Sequence, residues 1–140
     1  MKVDELMIGN IIEYSEEKVD YFGEHYTCNQ QVKIDKNLLK TLLTDYDDEI
    51  AEVVKPIKLT AEILEKNGWI LRDYCEYVSP FYISSKTCLK LFGFGEYYDE
   101  RGFCVNIGFE QLRKNLKYVH ELQNLLRSLG LNELANNFKI

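Results

Sequence analysis

The residues best placed to do chemistry lie in one short stretch, "LKYVHELQNLLRSLG" (116–130). His120, Gln123, Asn124 and Arg127 recur there at i, i+3, i+4 and i+7, so a helix gathers all four on one side. The set combines donors, acceptors and a permanent positive charge, unlike the Lys/Glu mixture of an ordinary solvated face. Two kinds of work suit it. As a recognition patch, Arg127 would meet an anion while His120 and Asn124 hydrogen-bond a small ligand or substrate. As a structural seam, Gln123 and Asn124 would satisfy open backbone groups of a neighbouring strand or loop, with His120 packing flat at the core margin. The seam is the simpler reading, because side-chain amides serve unpaired backbone groups well.

Nucleophilic catalysis has less to build on. A nucleophile needs a base within hydrogen-bond reach, and the two histidines are His25 and His120. Cys28 or Cys104 could meet one of them, but no motif joins them. The four cysteines (Cys28, Cys75, Cys88 and Cys104) form no CxxC pair and read as reduced, mostly buried thiols. His25-x-x-Cys28 offers at most half a zinc site. "DYDDE" (45–49) lacks the alternating ligands and central glycine of a calcium loop and reads as a solvated turn. "GFGE" (93–96) has no following lysine and sits between strands, unlike a phosphate loop. No catalytic residue, metal or cofactor is indicated.

The elements that must position these residues follow from composition and periodicity. The chain has 140 residues, 46% hydrophobic and 29% charged, as expected of one globular domain over 1–140. Ten Tyr and seven Phe suit half-buried sheet surfaces. No apolar run approaches the roughly 20 residues of a membrane helix. "MKVDELMIGN" lacks the apolar core of a signal peptide. The expected location is the cytoplasm of a bacterial host cell.

Net charge is −6 and unevenly spread. Residues 1–54 carry five Lys against thirteen Asp and Glu, while the remainder is slightly positive. An acidic front half disfavours nucleic acid, whose phosphates attract cations. It suits a basic protein surface, because complementary fields orient and speed association.

Asn10–Tyr14 and Tyr26–Ile34 read as antiparallel strands around the polar loop "EEKVDYFGEH". Leu38, Leu39, Leu42 and Leu43 mark a helical face behind Asp35 as N-cap. Val53–Leu59 is extended, with Pro56 confined to an edge. Thr60 caps a two-turn helix that Asn67-Gly68 closes. Trp69–Phe109 is strand-like throughout, with a hairpin turn at Asp99–Gly102. The final helix is expected from Glu110 or Lys114 to Leu129, stopped by Gly130. Its wheel gathers Leu112, Leu116, Tyr118, Val119, Leu122, Leu125, Leu126 and Leu129 into one broad apolar half, with the His120 set on the opposite margin. The fold class is α+β: a meandering antiparallel sheet with a short central helix and a longer C-terminal helix packed on one face.

Three stretches share a further property. The start "DELMIGN" (4–10), the centre "KPIKLTAEILEKNGW" (55–69) and the stretch "LKYVHELQNLLRSLGLNEL" (116–134) resemble, in this order, a family of small proteins of unknown function. The family is that of Bacteroidetes genomes and their phages and prophages, with the patterns L-x-IGN, PI-x-LT-x-E-x-L-x-x-x-GW/F and KYVH-x-LQNL. The resemblance implies a phage or prophage setting and no particular activity. The expected function is a non-enzymatic accessory protein acting by protein–protein interaction, with counter-defence as one form. A homodimer is one partner arrangement; a membrane is not expected. Two alternatives are a ligand binder or enzyme using His120, Asn124 and Arg127, and a single-strand nucleic-acid binder stacking bases on exposed aromatics.

Overall fold

In a computed structural model of the protein, residues 6–45, 54–71, 79–82, 89–93 and 102–140 are described. The fold is α+β. Strands β1 (Ile11–Val19), β2 (His25–Lys33) and β3 (Val54–Lys55) form an antiparallel sheet ordered β2-β1-β3. A five-stranded antiparallel meander follows: β4 (Ile70–Leu71), β5 (Ser79–Tyr82), β6 (Leu89–Gly93), β7 (Phe103–Ile107) and β8 (Glu110–Leu116), in sequential order. Helix α1 (Lys36–Asp45) follows β2, and α2 (Ala61–Lys66) precedes β4. Helices α3 (Val119–Ser128) and α4 (Asn132–Asn136) close the chain. Among the described residues no helix is long and apolar enough to cross a membrane.

The local signals act as their chemistry dictates. The Asp35 carboxylate accepts the Leu38 N–H at 2.7 Å and opens α1, and Thr60 Oγ1 accepts the Ile63 N–H at 3.3 Å and opens α2. Gly130 ends α3 in the left-handed region (φ 76°), where its N–H reaches Arg127 O and Leu131 N–H reaches Leu126 O. Pro80 pairs with Phe92 of β6, and the described part of β4 pairs with Phe81 and Tyr82.

The larger core gathers alternate residues of the meander (Leu89, Leu91, Phe103, Val105, Leu116) with Leu122 and Leu126 of α3 and Leu64 of α2. The smaller one joins Ile12, Ile34, Leu42 and Val54 beneath the first sheet.

The final helix begins later than its leucine spacing suggests. Residues 110–116 are a strand paired with β7, and Leu112 is exposed rather than part of an apolar helix face. The turn Gly108–Phe109 joins β7 to β8, with Gly108 at φ 59°, the sign a two-residue hairpin opening on glycine requires. Asn115 also takes a positive φ of 58°, which no continuous right-handed helix accommodates. Register shifts of β8 against β7 between these positions put Leu116 in the core and leave Leu112 outside it, which a regular period in the sequence does not show. The N-terminal strands likewise form a sheet of their own instead of extending the meander. The 99–101 part of the expected hairpin turn, residues 46–49 and 94–96, Cys75 and Cys88 lie outside the described residues.

Candidate functional site

The four polar side chains of α3 do come together, but as a seam between chain segments. Helix α3 is covered on two sides: Leu122 and Leu126 enter the larger core, and the adjoining flank meets the backbone of Gly9–Ile11 and the end of α4. Gln123 is fully buried there. Its Oε1 accepts the Ile11 N–H at 2.9 Å, and its Nε2 donates to Gly9 O at 3.1 Å and Ala135 O at 2.9 Å. Both donors and the acceptor oxygen of this amide are thereby engaged.

Asn124 Oδ1 accepts from Asn10 Nδ2 at 3.0 Å and from Arg127 Nη1 at 3.2 Å. Arg127 also donates to Asn136 Oδ1 at 3.5 Å, the outer limit of a hydrogen bond. Its guanidinium is half-buried, and desolvation lowers its pKa from the ordinary value. His120 is buried, its ring stacked on Tyr118 with centroids 5.9 Å apart and planes 12° from parallel. The wheel puts this set on the margin opposite the apolar arc; His120 and Gln123 are instead as enclosed as the leucines.

Two members of the seam are missing from the sequence-based set. Asn10 is fully buried, and its Oδ1 accepts the Met7 N–H at 2.6 Å, closing a turn while its amide nitrogen reaches α3. Gly9, at φ 86°, lies against Arg127; a Cβ there would sit 2.8 Å from Nη2. The "IGN" triplet carries this signal, since Gly-Asn marks a turn, but its partner 114 residues away is not visible in any local window.

The start of the chain, its central stretch and the first turn of α3 meet in this same region. Leu59 N–H donates to Lys117 O at 2.7 Å and Val119 N–H to Ile57 O at 2.9 Å, which ties the central stretch to the start of α3. Glu121 secures that start by accepting the Lys117 and Tyr118 N–H groups at 2.8 and 3.0 Å while ion-pairing with Arg113.

The exposed surface lies elsewhere, on the ribbon of β1 and β2. Nine cross-strand pairs run from Ile11–Lys33 to Val19–His25, about 30 Å at the usual strand rise. β3 pairs with Glu13 and Tyr14, and among the described strands β1 and β2 alone make up the outer half. Residues Glu16 to Thr27 are exposed without a break. Four carboxylates (Glu16, Glu17, Asp20, Glu24) stand there against Lys18, which is itself 3.4 Å from Glu16.

At the tip, Tyr21 and Phe22 are 98% and 87% exposed, their rings edge-to-face at 5.9 Å. Asp20 fixes the turn, its carboxylate accepting the Phe22 and Glu24 N–H groups at 2.8 and 2.9 Å. β1 therefore runs further than residue patterning indicates, continuing past Tyr14 to Val19 through much of the expected polar loop, while β2 lies within one residue of its expected span at each end.

His25 and Cys28 both lie on β2. Three residues apart in a strand they face opposite sides, so they do not form half a zinc site. Cys28 and Cys104 are partly buried free thiols. No protein-family model, curated protein or solved structure matches the chain.

Proposed function

We propose that the protein works without catalysis, by binding another protein through the acidic β1–β2 ribbon. The observation that carries this reading is the ribbon's outer half: two strands exposed on both faces, four carboxylates, and two aromatic rings held open to water at a structured tip. A two-stranded hairpin is at best marginal alone in water, and exposed Tyr and Phe rings forgo the gain of burial. A partner surface that covers the ribbon supplies both deficits. The charge selects a basic surface, because like-charged surfaces are rejected on approach.

The setting is the one the sequence resemblance implies: an accessory protein of a phage or prophage, in the cytoplasm of a bacterial host. Where the basic surface is a nucleic-acid-binding one, occupying it is a counter-defence activity. The His120 seam scaffolds the body from which the ribbon projects.

Affinity capture from infected or lysogenic cells tests the reading. The wild-type protein is expected to retain a specific companion that a bait carrying Glu16→Lys, Glu17→Lys and Glu24→Lys loses. No companion under gentle conditions, or equal capture by both baits, contradicts it.

A further inference from the structure

The ribbon has two long edges, and they differ. Beyond Tyr14 the edge of β1 away from β2, unpaired among the described strands, carries Glu16, Glu17 and Lys18, charged side chains of the kind that discourage strand addition. The outer edge of β2 has no such guard. From Tyr26 to Val32 it reads Tyr-Thr-Cys-Asn-Gln-Gln-Val, with no charge and no proline. Its register with β1 runs unbroken over nine pairs, so no bulge twists the edge away. Among the described strands nothing pairs on that side, and every residue of β2 except Cys28 and Val32 is exposed.

The two faces along this edge also differ. One presents Tyr26, Cys28, Gln30 and Val32; the other presents Thr27, Asn29 and Gln31, with the Ser15–Asn29 hydrogen bond at 2.7 Å lying on it. Cross-strand pairing puts Glu17 behind Thr27 and Glu13 behind Gln31 on that second face. A strand added to β2 lies two strand spacings from these carboxylates, about 10 Å, which a Lys or Arg leaning toward a Glu closes.

We infer that the open edge of β2 takes up an extended segment of a partner protein as an added strand. The segment alternates apolar residues, over Tyr26, Cys28 and Val32, with Lys or Arg on the face of Thr27, Asn29 and Gln31. Backbone hydrogen bonds supply affinity, and the two faces supply the pattern. Charge selects this occupant over a second copy, since the β2 of a second copy offers no Lys or Arg from Tyr26 to Val32 to meet Glu13 and Glu17. The inference rests on the proposed protein-binding role and names the shape and chemistry of what is bound.

The test uses the full-length protein and four fluorescent peptides of about nine residues, the length of β2. One alternates Val and Lys, one alternates Val and Glu, and one has the Val/Lys composition in two blocks. The fourth is the Val/Lys alternation with alternate backbone nitrogens methylated. The alternating Val/Lys peptide is expected to bind with a salt-dependent affinity, and each of the others about tenfold or more weakly.

Thr27→Lys with Gln31→Lys, at exposed positions that leave the body intact, is expected to abolish binding. Glu13→Gln with Glu17→Gln is expected to remove most of the salt dependence. Equal binding of all peptides, no binding, or indifference to Thr27→Lys/Gln31→Lys overturns the inference. So does concentration-dependent dimerisation that this pair of lysines abolishes, which would make a second copy the occupant. If the peptides fail while capture from cells still depends on Glu16, Glu17 and Glu24, the added strand falls and the acidic-surface reading stands; if both fail, the reading itself is lost.

Discussion

Gln123 Oε1 accepts the backbone N–H of Ile11 at 2.9 Å across 112 residues of sequence. The same amide holds Gly9 and Ala135 through its nitrogen, so one side chain joins the start of the chain, α3 and the end of α4. Strand β1 leaves the body at this point, and the ribbon's direction is therefore set where Gln123 grips Gly9 and Ile11.

Replacing Gln123 by Leu keeps most of the volume but strands an N–H and two carbonyls in a buried place. The expected loss is about 3 kcal/mol or more, read by chemical denaturation. Gln123→Glu is expected to be similarly weak at neutral pH, with a carboxylate facing the Gly9 and Ala135 carbonyls. Its folded pKa is raised, so its stability recovers as pH falls and the carboxyl protonates. A Gln123→Leu protein as stable as the wild type would leave the seam with no structural role.

Gly9→Ala forces a side chain into a left-handed position and against Arg127. A destabilisation of about 1–3 kcal/mol is expected from the backbone. Adding Arg127→Ala relieves the contact at Nη2 but leaves the backbone cost. A double-mutant cycle reads the two parts separately, with a positive coupling expected.

Thr60→Ala is expected to cost about 1 kcal/mol by leaving the first turn of α2 uncapped. The Glu62 carboxylate is held below its ordinary pKa by a hydrogen bond from Thr60, then by its own backbone N–H. A lowered folded pKa gives stability that is complete above the unfolded value and fades as pH falls through the folded one. Thermal melts from neutral to acid pH should show that fade in the wild type and a shallower one in Thr60→Ala.

Tyr21→Ser with Phe22→Ser removes two rings that touch little besides each other. Stability is expected to move by less than about 0.5 kcal/mol, as for surface sites in general, while partner capture falls sharply. A large stability loss would mean that the tip is folded against the body.

Elements governed by neighbours in sequence are legible in the sequence itself. Asp35, Thr60, Gly68 and Gly130 mark helix ends through bonds spanning a few residues, and Phe103 and Val105 show the alternation of a half-buried strand. What depends on distant partners is not legible there. No window around residue 10 reveals Asn124, and a helical wheel drawn for α3 assumes one buried side where the fold covers two. That second cover turns His120 and Gln123 from a margin into an interior. β2 is legible from its β-formers, but the outer part of β1 is hidden for the opposite reason: a strand exposed on both faces carries no hydrophobic alternation, so Glu16–Val19 has the composition of a loop.

Hydrogen exchange on the captured complex, set against the free protein, tests most directly whether the ribbon is the binding surface. Slowed exchange along residues 16–33, with Asn10, α3 and α4 unchanged, is the predicted result. Protection centred on α3 around His120 and Arg127, with the ribbon exchanging as freely as before, would contradict it.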